Sequence, residues 1–600
     1  MASPISKAWW KEAVIYQIYP SSFKDSSGDG LGDLQGIISK VDYLASLNVD
    51  AIWLSPIYKS PQVDMGYDIS DYRGIHEPYG TIEDVETLIA ELEKRGMKLL
   101  MDLVVNHTSN EHPWFLESKS SASNNPKRDW YIWKKGKTGP DGEKLPPNNW
   151  ESLFKGSAWD YDEDTDEWYF HIFHAAQPCL NWENDEVRKA VHDDIHFWLK
   201  KGLGGLRIDA INLISKPEDF ADVPVMQEGY HQSCFELIKN RPKVHEWLKE
   251  MREEVFDQYE DLVYIGECGG TNDVSDVKKY ILPSRRELDL IFQFELMEVD
   301  SGPLGAFSGR DWQLSELKAL TQKWQTILRP AWNTFHLENH DSGRSVNRFG
   351  RTYDPALFPA VSKLLAFFTM TLGGTIFLHQ GQEIGTQNLT DDIPLHEYKD
   401  MATHSDFEKT KALRKRSLAL NTAASDAEID MSDVLTQVRL KARDHARAPI
   451  AWDASPNAGF STASPWMTLN SDWKHINVAA QESDKTSVLN TWRELIRFRR
   501  QYADELVYGN FETVDEGNES VVAYTRTSSE GIKLLVALNW GDKKISWSPP
   551  PSSESRKMLQ AVGRVQDGGE KVELDGYACA CWKVWSPGEA SRAGEVKRVV

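Results

Sequence analysis

Gly205-Leu206-Arg207-Ile208-Asp209-Ala210 is an apolar stretch that carries an arginine and an aspartate two positions apart. Read as a β-strand, it points Arg207 and Asp209 to the same side, because side chains alternate between faces along a strand. A guanidinium beside a carboxylate favours the ionised form, and an ionised, oriented carboxylate can serve as a nucleophile. A structural arginine–aspartate pair at a strand end would read the same way, so the surrounding chain has to separate the two.

Similar short β-like runs recur at Val14–Ile18, Ala51–Leu54, Lys98–Val105, Leu262–Ile265, Leu290–Phe294, Trp332–Leu337 and Thr375–Leu378. Helical stretches lie between them. Thr81–Arg95 is amphipathic, has an acidic first turn and stops at Gly96; Glu186–Lys201 is alike and stops at Gly202. Eight strands alternating with helices predict an α/β fold, a (β/α)8 TIM barrel. Residues 1–107 and 172–504 would form the barrel. Residues 108–171, polar and rich in Asn, Pro, Gly and Trp, would be a domain inserted after the third strand. Residues 387–472 are charged and irregular and would form a smaller excursion after the eighth strand. From residue 505 the pattern turns to alternating β, at Glu519–Thr527, Lys533–Trp540 and Ala578–Val584, which predicts a C-terminal antiparallel β-sandwich domain. The final stretch from Ser586 to Gly594 reads as a loose tail.

The chain has 600 residues, 26% charged and 40% hydrophobic, with a formal net charge of −23. That balance argues against nucleic acid or an anionic membrane as partner, since either calls for a basic face, and fits a small neutral substrate. The five cysteines, Cys179, Cys234, Cys268, Cys579 and Cys581, are odd in number and lack metal-ligand spacing. With no secretory pattern at the N-terminus and no long apolar run, a reduced, cytoplasmic location is expected. The oligomeric state, monomer or homodimer, stays open.

In a TIM barrel the chemistry gathers at the C-terminal ends of the strands. Here those ends bring Asn106 and His107, Arg207 and Asp209, Glu267, and His340 and Asp341. Paired carboxylates are the usual equipment for cleaving a glycosidic bond: one attacks or activates water, and the other protonates the leaving oxygen. Acidic clusters in barrels also hold metals. A second feature is Asp25-Ser-Ser-Gly-Asp-Gly-Leu-Gly-Asp33, which sets oxygen donors at alternate positions: Asp25, Ser27, Asp29, the Leu31 carbonyl and Asp33. Hard oxygen ligands so spaced suit Ca²⁺. The twelfth position is Gly36, so this is not an EF-hand, and a solvated Asp/Gly turn is the alternative.

Four ordered segments, Asp102–His107, Gly205–Asp209, Ile265–Glu267 and Glu338–Asp341, resemble the motifs of glycoside hydrolase family 13, the α-amylase family. Ala13–Phe23, Asp64–Ile69, Gln177–Glu183 and Arg443–Pro449 resemble its oligo-1,6-glucosidase, maltase and isomaltase branch. The resemblance implies an exo-acting, retaining α-glucosidase working on short oligosaccharides. Asp209 would be the nucleophile, Glu267 the general acid and then base, and Asp341 the group that binds sugar hydroxyls. His107 and His340 would bond the sugar, Arg207 would orient Asp209, and Asp64, Tyr67, Phe173 and Arg447 would close the pocket. It also implies a structural Ca²⁺ in the Asp25–Asp33 loop, with Ser27 in place of the common Asn. Ala210 stands where relatives carry Val for α-1,6 or Thr for α-1,4 preference, so a roomier, broader +1 side is expected. Cys179, Ser342-Gly343 and Cys268-Gly269 depart from the branch pattern. Two competing readings remain: a sucrose isomerase or other glucosyl-transferring relative, and a non-catalytic amylase-like binding protein. The isomerases' Arg-Leu-Asp-Arg-Asp loop is replaced here by Glu295-Leu-Met-Glu-Val-Asp-Ser-Gly302.

Overall fold

Eight strands run parallel in one sheet: β1 (Val14–Ile18), β2 (Ala51–Leu54), β3 (Lys98–Val104), β4 (Gly205–Asp209), β5 (Val263–Glu267), β6 (Leu290–Phe292), β7 (Thr334–Phe335) and β8 (Thr375–His379). Their order is β6-β5-β4-β3-β2-β1-β8-β7, and Thr334 Oγ1 donates to the Ile291 carbonyl at 2.9 Å across the β6–β7 seam. The sheet is therefore closed, a TIM barrel. The computed structural model describes residues 6–120, 125–227, 229–302, 305–419, 429–551 and 555–585; the expected tail from Ser586 to Gly594 lies outside them.

The alternation of each strand divides its residues between two environments. Ile15, Trp53, Leu100, Ile265, Phe292 and Phe377 form one buried cluster. Their neighbours Tyr16, Ile52, Leu99, Leu206, Tyr264 and Ile376 belong to a larger one shared with the helices. On β4 this phase puts Gly205, Arg207 and Asp209 on one side. Gly205 is required there, because a Cβ would sit 2.2 Å from the Val263 carbonyl oxygen of β5.

Helix α1 (Ile82–Glu93) starts in a capping box in which Thr81 and Asp84 satisfy each other's backbone N–H groups. Its buried face is Val85, Leu88, Ile89 and Leu92. Helix α2 (Asp185–Leu199) is capped by Asn184 and ends on the turn before β4. Between β3 and β4 the chain makes short antiparallel sheets, one from Trp159–Asp162, Glu167–Phe170 and Trp133–Lys134. Trp150–Glu151 pairs with Gln232–Ser233, which ties this insert to the loop that follows β4.

The segment after β8 departs from the irregular chain expected there. It contains α4 (Met401–Ala419) and α5 (Ser432–Lys441), after α3 (Phe358–Thr371), which covers the barrel. α4 has no apolar stripe to betray it in the sequence; charged contacts hold it to the insert, Lys409 to Glu151 at 2.5 Å and Asp406 to Lys155 at 3.4 Å.

Five C-terminal strands, β9 (Asn510–Val514), β10 (Val521–Thr527), β11 (Lys533–Asn539), β12 (Arg556–Val562) and β13 (Cys579–Val584), form an antiparallel sheet in the order β9-β10-β11-β13-β12. Its Ala523, Leu535, Ala537 and Trp582 share a buried cluster with Trp547, Val572 and Leu574 of a second, three-stranded sheet. The opposite face lies on α3, where the Tyr524 hydroxyl meets Thr371 Oγ1 at 2.6 Å and the Trp540 and Phe368 rings meet edge-on at 5.2 Å. Among the described residues no helix is long and apolar enough to cross a membrane.

Candidate active site

Register builds the site around Arg207. Its ladder partners are Asp102 on β3 and Ile265 on β5, so Asp102 is beside it and Glu267 is two residues farther along β5. Arg207 Nη1 lies 2.5 Å from Asp102 Oδ1 and 2.7 Å from Asp209 Oδ1, and Nη2 lies 2.7 Å from Glu267 Oε2. One guanidinium therefore serves three carboxyl groups. If all three were ionised, the cluster would carry two uncompensated negative charges out of water, which is costly. One of them has to hold a proton.

Glu267 is that group. Burial, reinforced by the charges of Asp209 and Asp341, pushes its carboxyl up to about 8. Burial also raises Asp209, but Arg207 opposes it and the carboxyl stops at about 6. Asp102, treated alike, also sits at about 6. Near neutral pH the arrangement is an ionised Asp209 beside a protonated Glu267. Ala210 adds a constraint. It adopts a left-handed conformation, φ 43° and ψ 33°, which costs an alanine about 1–2 kcal/mol, and its N–H donates to Glu267 Oε2 at 3.1 Å. With Oε2 engaged by Ala210 and Arg207, the proton belongs on Oε1.

Asp341 is the opposite case. Burial works to raise it, yet the surrounding cations hold it well below the usual carboxylate range. Its Oδ1 accepts from Arg447 Nη2 at 2.8 Å and Arg443 Nη1 at 3.1 Å. His340 stands 3.2 Å from Asp341 Oδ2. The His340 ring is fully engaged, with Nδ1 at 2.7 Å from Gln17 Nε2 and Nε2 at 2.7 Å from the Tyr67 hydroxyl. Burial lowers it to about 3, so it is neutral. Asp64 accepts from Gln177 Nε2 at 2.9 Å and is raised to about 6 by burial.

These groups meet in a small cavity of about 90 Å³ lined by Asp64, Tyr67, His107, Phe154, Phe173, Asp209, Glu267, Asp341 and Arg443. Seven of the residues singled out from the sequence form its wall. Arg207, His340, Arg447 and Ala210 lie behind it and hold wall residues in place. The sequence reading passed over Asp102, Phe154, Gln177 and Arg443. Arg443 had a usable signal: it is four residues before Arg447, and the helix Asp444–Arg447 turns both toward Asp341. Phe154 had none, since it comes from the aperiodic insert; its ring sits 5.7 Å from the Arg443 guanidinium. Of the departures, Cys179 and Cys268 are buried; Cys179 accepts from the Ile172 N–H at 3.4 Å and Asn106 Nδ2 at 3.7 Å.

The Asp25–Asp33 loop offers an all-oxygen donor set, which fits a hard cation. Asp25 accepts from the Gly28 and Gly30 N–H groups at 2.7 and 2.9 Å, Ser27 Oγ donates to Asp25 at 3.2 Å, and Asp29 accepts from the Leu31 N–H at 2.8 Å. Asp33 caps the helix that follows, accepting from Gly36. Among the described residues no three His, Cys, Asp or Glu side chains stand together as a metal cage.

Residues 17–509 match the family model for the α-amylase catalytic domain. The chain is 43% identical to an α-glucosidase of Schizosaccharomyces pombe over 92% of its own length and 94% of that protein's. It is 44% identical to an oligo-1,6-glucosidase of Parageobacillus thermoglucosidasius, over 90% and 92%. Among solved structures, the isomaltulose synthase SmuA of Protaminobacter rubrum superposes with a TM-score of 0.89 at 36% identity, covering 97% of this chain and all of that one. The chain thus belongs to the α-amylase family, glycoside hydrolase family 13, in its α-glucosidase and oligo-1,6-glucosidase branch, and is a glycoside hydrolase of the α-glucosidase type.

Proposed function

We propose that this enzyme removes terminal α-linked glucose from the non-reducing end of disaccharides and short oligosaccharides, with retention, through a covalent glucosyl-enzyme. The observation that carries the reading is the unequal pair held by Arg207, an ionised Asp209 and a protonated Glu267 on one cavity wall. Asp209 Oδ attacks the anomeric carbon while Glu267 gives its proton to the leaving oxygen. Glu267, now ionised, takes a proton from water as that water attacks the anomeric carbon and releases Asp209. Asp341, kept charged by Arg443 and Arg447, accepts from sugar hydroxyls and stabilises positive charge developing on the ring. His107, Tyr67, Phe173 and Asp64 enclose the sugar. The small cavity supports exo action.

Hydrolysis is favoured over isomerisation because Glu295–Gly302 carries no arginine. Two of its three acids are also spent elsewhere: Glu295 pairs with Lys323 and Asp300 with Arg348. A phosphorylated sugar is disfavoured by a wall with four carboxyl groups and one arginine. Any hydroxyl that replaces water at the glucosyl-enzyme gives transglycosylation, so some transfer at high sugar concentration belongs to the proposal. Maltose, isomaltose, sucrose and trehalose incubated in parallel test it. Glucose released first as the α-anomer is expected; release of the β-anomer, or attack within a polymer in preference to these sugars, would contradict it. A broad linkage range is the expectation attached to Ala210, which stands behind the wall in place of the Val or Thr of relatives, and the same four incubations read it.

The pH profile follows from the pair. Asp209 must be ionised and Glu267 protonated, so kcat/KM is expected to rise through about pH 6 and fall through about pH 8. A profile with no alkaline limb below pH 10 would assign the proton donor elsewhere.

We also propose a structural Ca²⁺ in the Asp25–Asp33 loop, held by Asp25, Ser27, Asp29, the Leu31 carbonyl and Asp33, with no part in the chemistry. Binding would exchange loop hydrogen bonds for ion contacts. At a hundredfold excess over Kd it should add about 2.7 kcal/mol of stability, read as a Tm that falls on chelation and returns with Ca²⁺. A Tm indifferent to both would leave the loop as a hydrogen-bonded turn. Five unpaired thiols support a reducing, cytoplasmic setting.

A further inference from the structure

Behind the cavity wall stands a buried cation that the proposed chemistry does not use. Lys216 is 7% exposed, and among the described residues no carboxylate pairs with it. Its ammonium donates to Asn106 Oδ1 at 3.0 Å and to the Leu213 carbonyl. Asn106 is wholly buried and next in sequence to His107. Its Nδ2 lies 3.2 Å from His107 Nδ1 and 3.7 Å from Cys179 Sγ.

We propose that Lys216 is a positioning residue that sets the tautomer of His107 through Asn106. An ammonium has donors and no acceptor, so only the carbonyl end of the Asn106 amide can face it. That fixes the amide's N–H₂ toward His107 and Cys179 and makes His107 Nδ1 an acceptor. Neutral imidazole carries one proton, so it sits on Nε2. The geometry agrees: Nε2 is 3.1 Å from the Tyr67 carbonyl, which can only accept. Gln177 Nε2, also 3.2 Å from that nitrogen, has Asp64 as its acceptor instead. His107 thus carries its one N–H on Nε2 at the cavity wall, where a sugar oxygen would share that donor with the Tyr67 carbonyl. Without Lys216 the amide is free to turn over. Its oxygen would then draw the proton to Nδ1, leaving Nε2 as an acceptor that competes for the N–H groups of Gln177. The catalytic value of this arrangement rests on His107 contacting the sugar; the tautomer itself does not.

Nitrogen NMR of the ¹⁵N-histidine-labelled enzyme tests it, with His107 assigned by its loss in His107→Gln. The expected result is a pyridine-type shift for Nδ1 and a pyrrole-type shift for Nε2. Lys216→Met should shift the pair toward the other tautomer and lower kcat/KM about tenfold, the scale of one hydrogen bond; Lys216→Arg should restore both. In an Asn106→Ala background Lys216→Met should cost nothing further. Asn106→Asp, which keeps Lys216, places an acceptor against His107 and should move the proton to Nδ1 by itself. Unchanged ring shifts in Lys216→Met, or in Asn106→Asp if the methionine variant does not fold, would overturn the proposal, as would additive penalties in the double variant. Moved shifts with unchanged kcat/KM would keep the tautomer control and remove His107 from the sugar site.

Discussion

Asp209→Asn is expected to lower kcat by on the order of 10⁵-fold or more, the scale seen when a covalent nucleophile is removed, while the protein stays folded. The replacement is nearly isosteric. Arg207 keeps Asp102 and Glu267 as partners, so no buried cation is orphaned. The stability change has a definite sign. The folded Asp209 carboxyl is raised to about 6 from 3.8; its ionised form is thus disfavoured by folding, and at neutral pH the ionised group costs stability. A neutral amide removes that cost. Tm at pH 7 should therefore be unchanged or higher, and the gain should fade as pH falls from about 6 to about 4, below which the carboxyl is protonated in both states. Calorimetry with steady-state kinetics reads both parts. A stable variant with near-normal turnover would remove Asp209 from the chemistry.

Glu267→Gln carries the second largest effect and a different signature. The amide matches the protonated acid in shape and charge and can still accept from Arg207 and Ala210. It lacks a transferable proton. On natural disaccharides kcat/KM should fall by about 10²–10⁴-fold, and the fall near pH 8 should disappear with the group that titrates there. On a glucosyl fluoride or an aryl glucoside with an acidic leaving group, the first step needs no proton and should stay fast. The second step would lack its base, so glucosyl-enzyme should accumulate as a burst, relieved by a small anionic nucleophile such as azide. Equal losses on both substrate classes would argue that Glu267 shapes the pocket without donating the proton.

The barrel was legible because parallel strands covered on both faces read as continuous apolar runs. The eight expected runs fall on the eight observed strands, and only the ends shift. β5 reaches Glu267, placing the carboxyl on the strand itself, and β7 shrinks to Thr334–Phe335. Arg207 and Asp209 were legible as a pair because they share one strand. Asp102 was not, since its contact with Arg207 depends on the β3–β4 register. The cations on Asp341 were harder still: Arg443 lies 102 residues away. α4 escaped because it has no apolar stripe: Phe407 packs on the cluster of Met431, Val434 and Val438, and pairs such as Lys409–Glu151 tie the helix to the insert. The reason Ala210 adopts φ 43° is likewise absent from the sequence; the β5 partner that its N–H meets, Glu267, appears only in the folded site.

The central claim is that Asp209 forms the covalent bond to glucose. Incubation with 5-fluoro-α-glucosyl fluoride, which slows the second step more than the first, followed by proteolysis and mass spectrometry of the peptides, tests this directly. The account predicts one added fluoroglucosyl mass on the peptide that contains Gly205–Ala210, carried by Asp209 and absent from Asp209→Asn. A label on Glu267 or Asp341, or turnover of the reagent with inverted product and no labelled peptide, would contradict it.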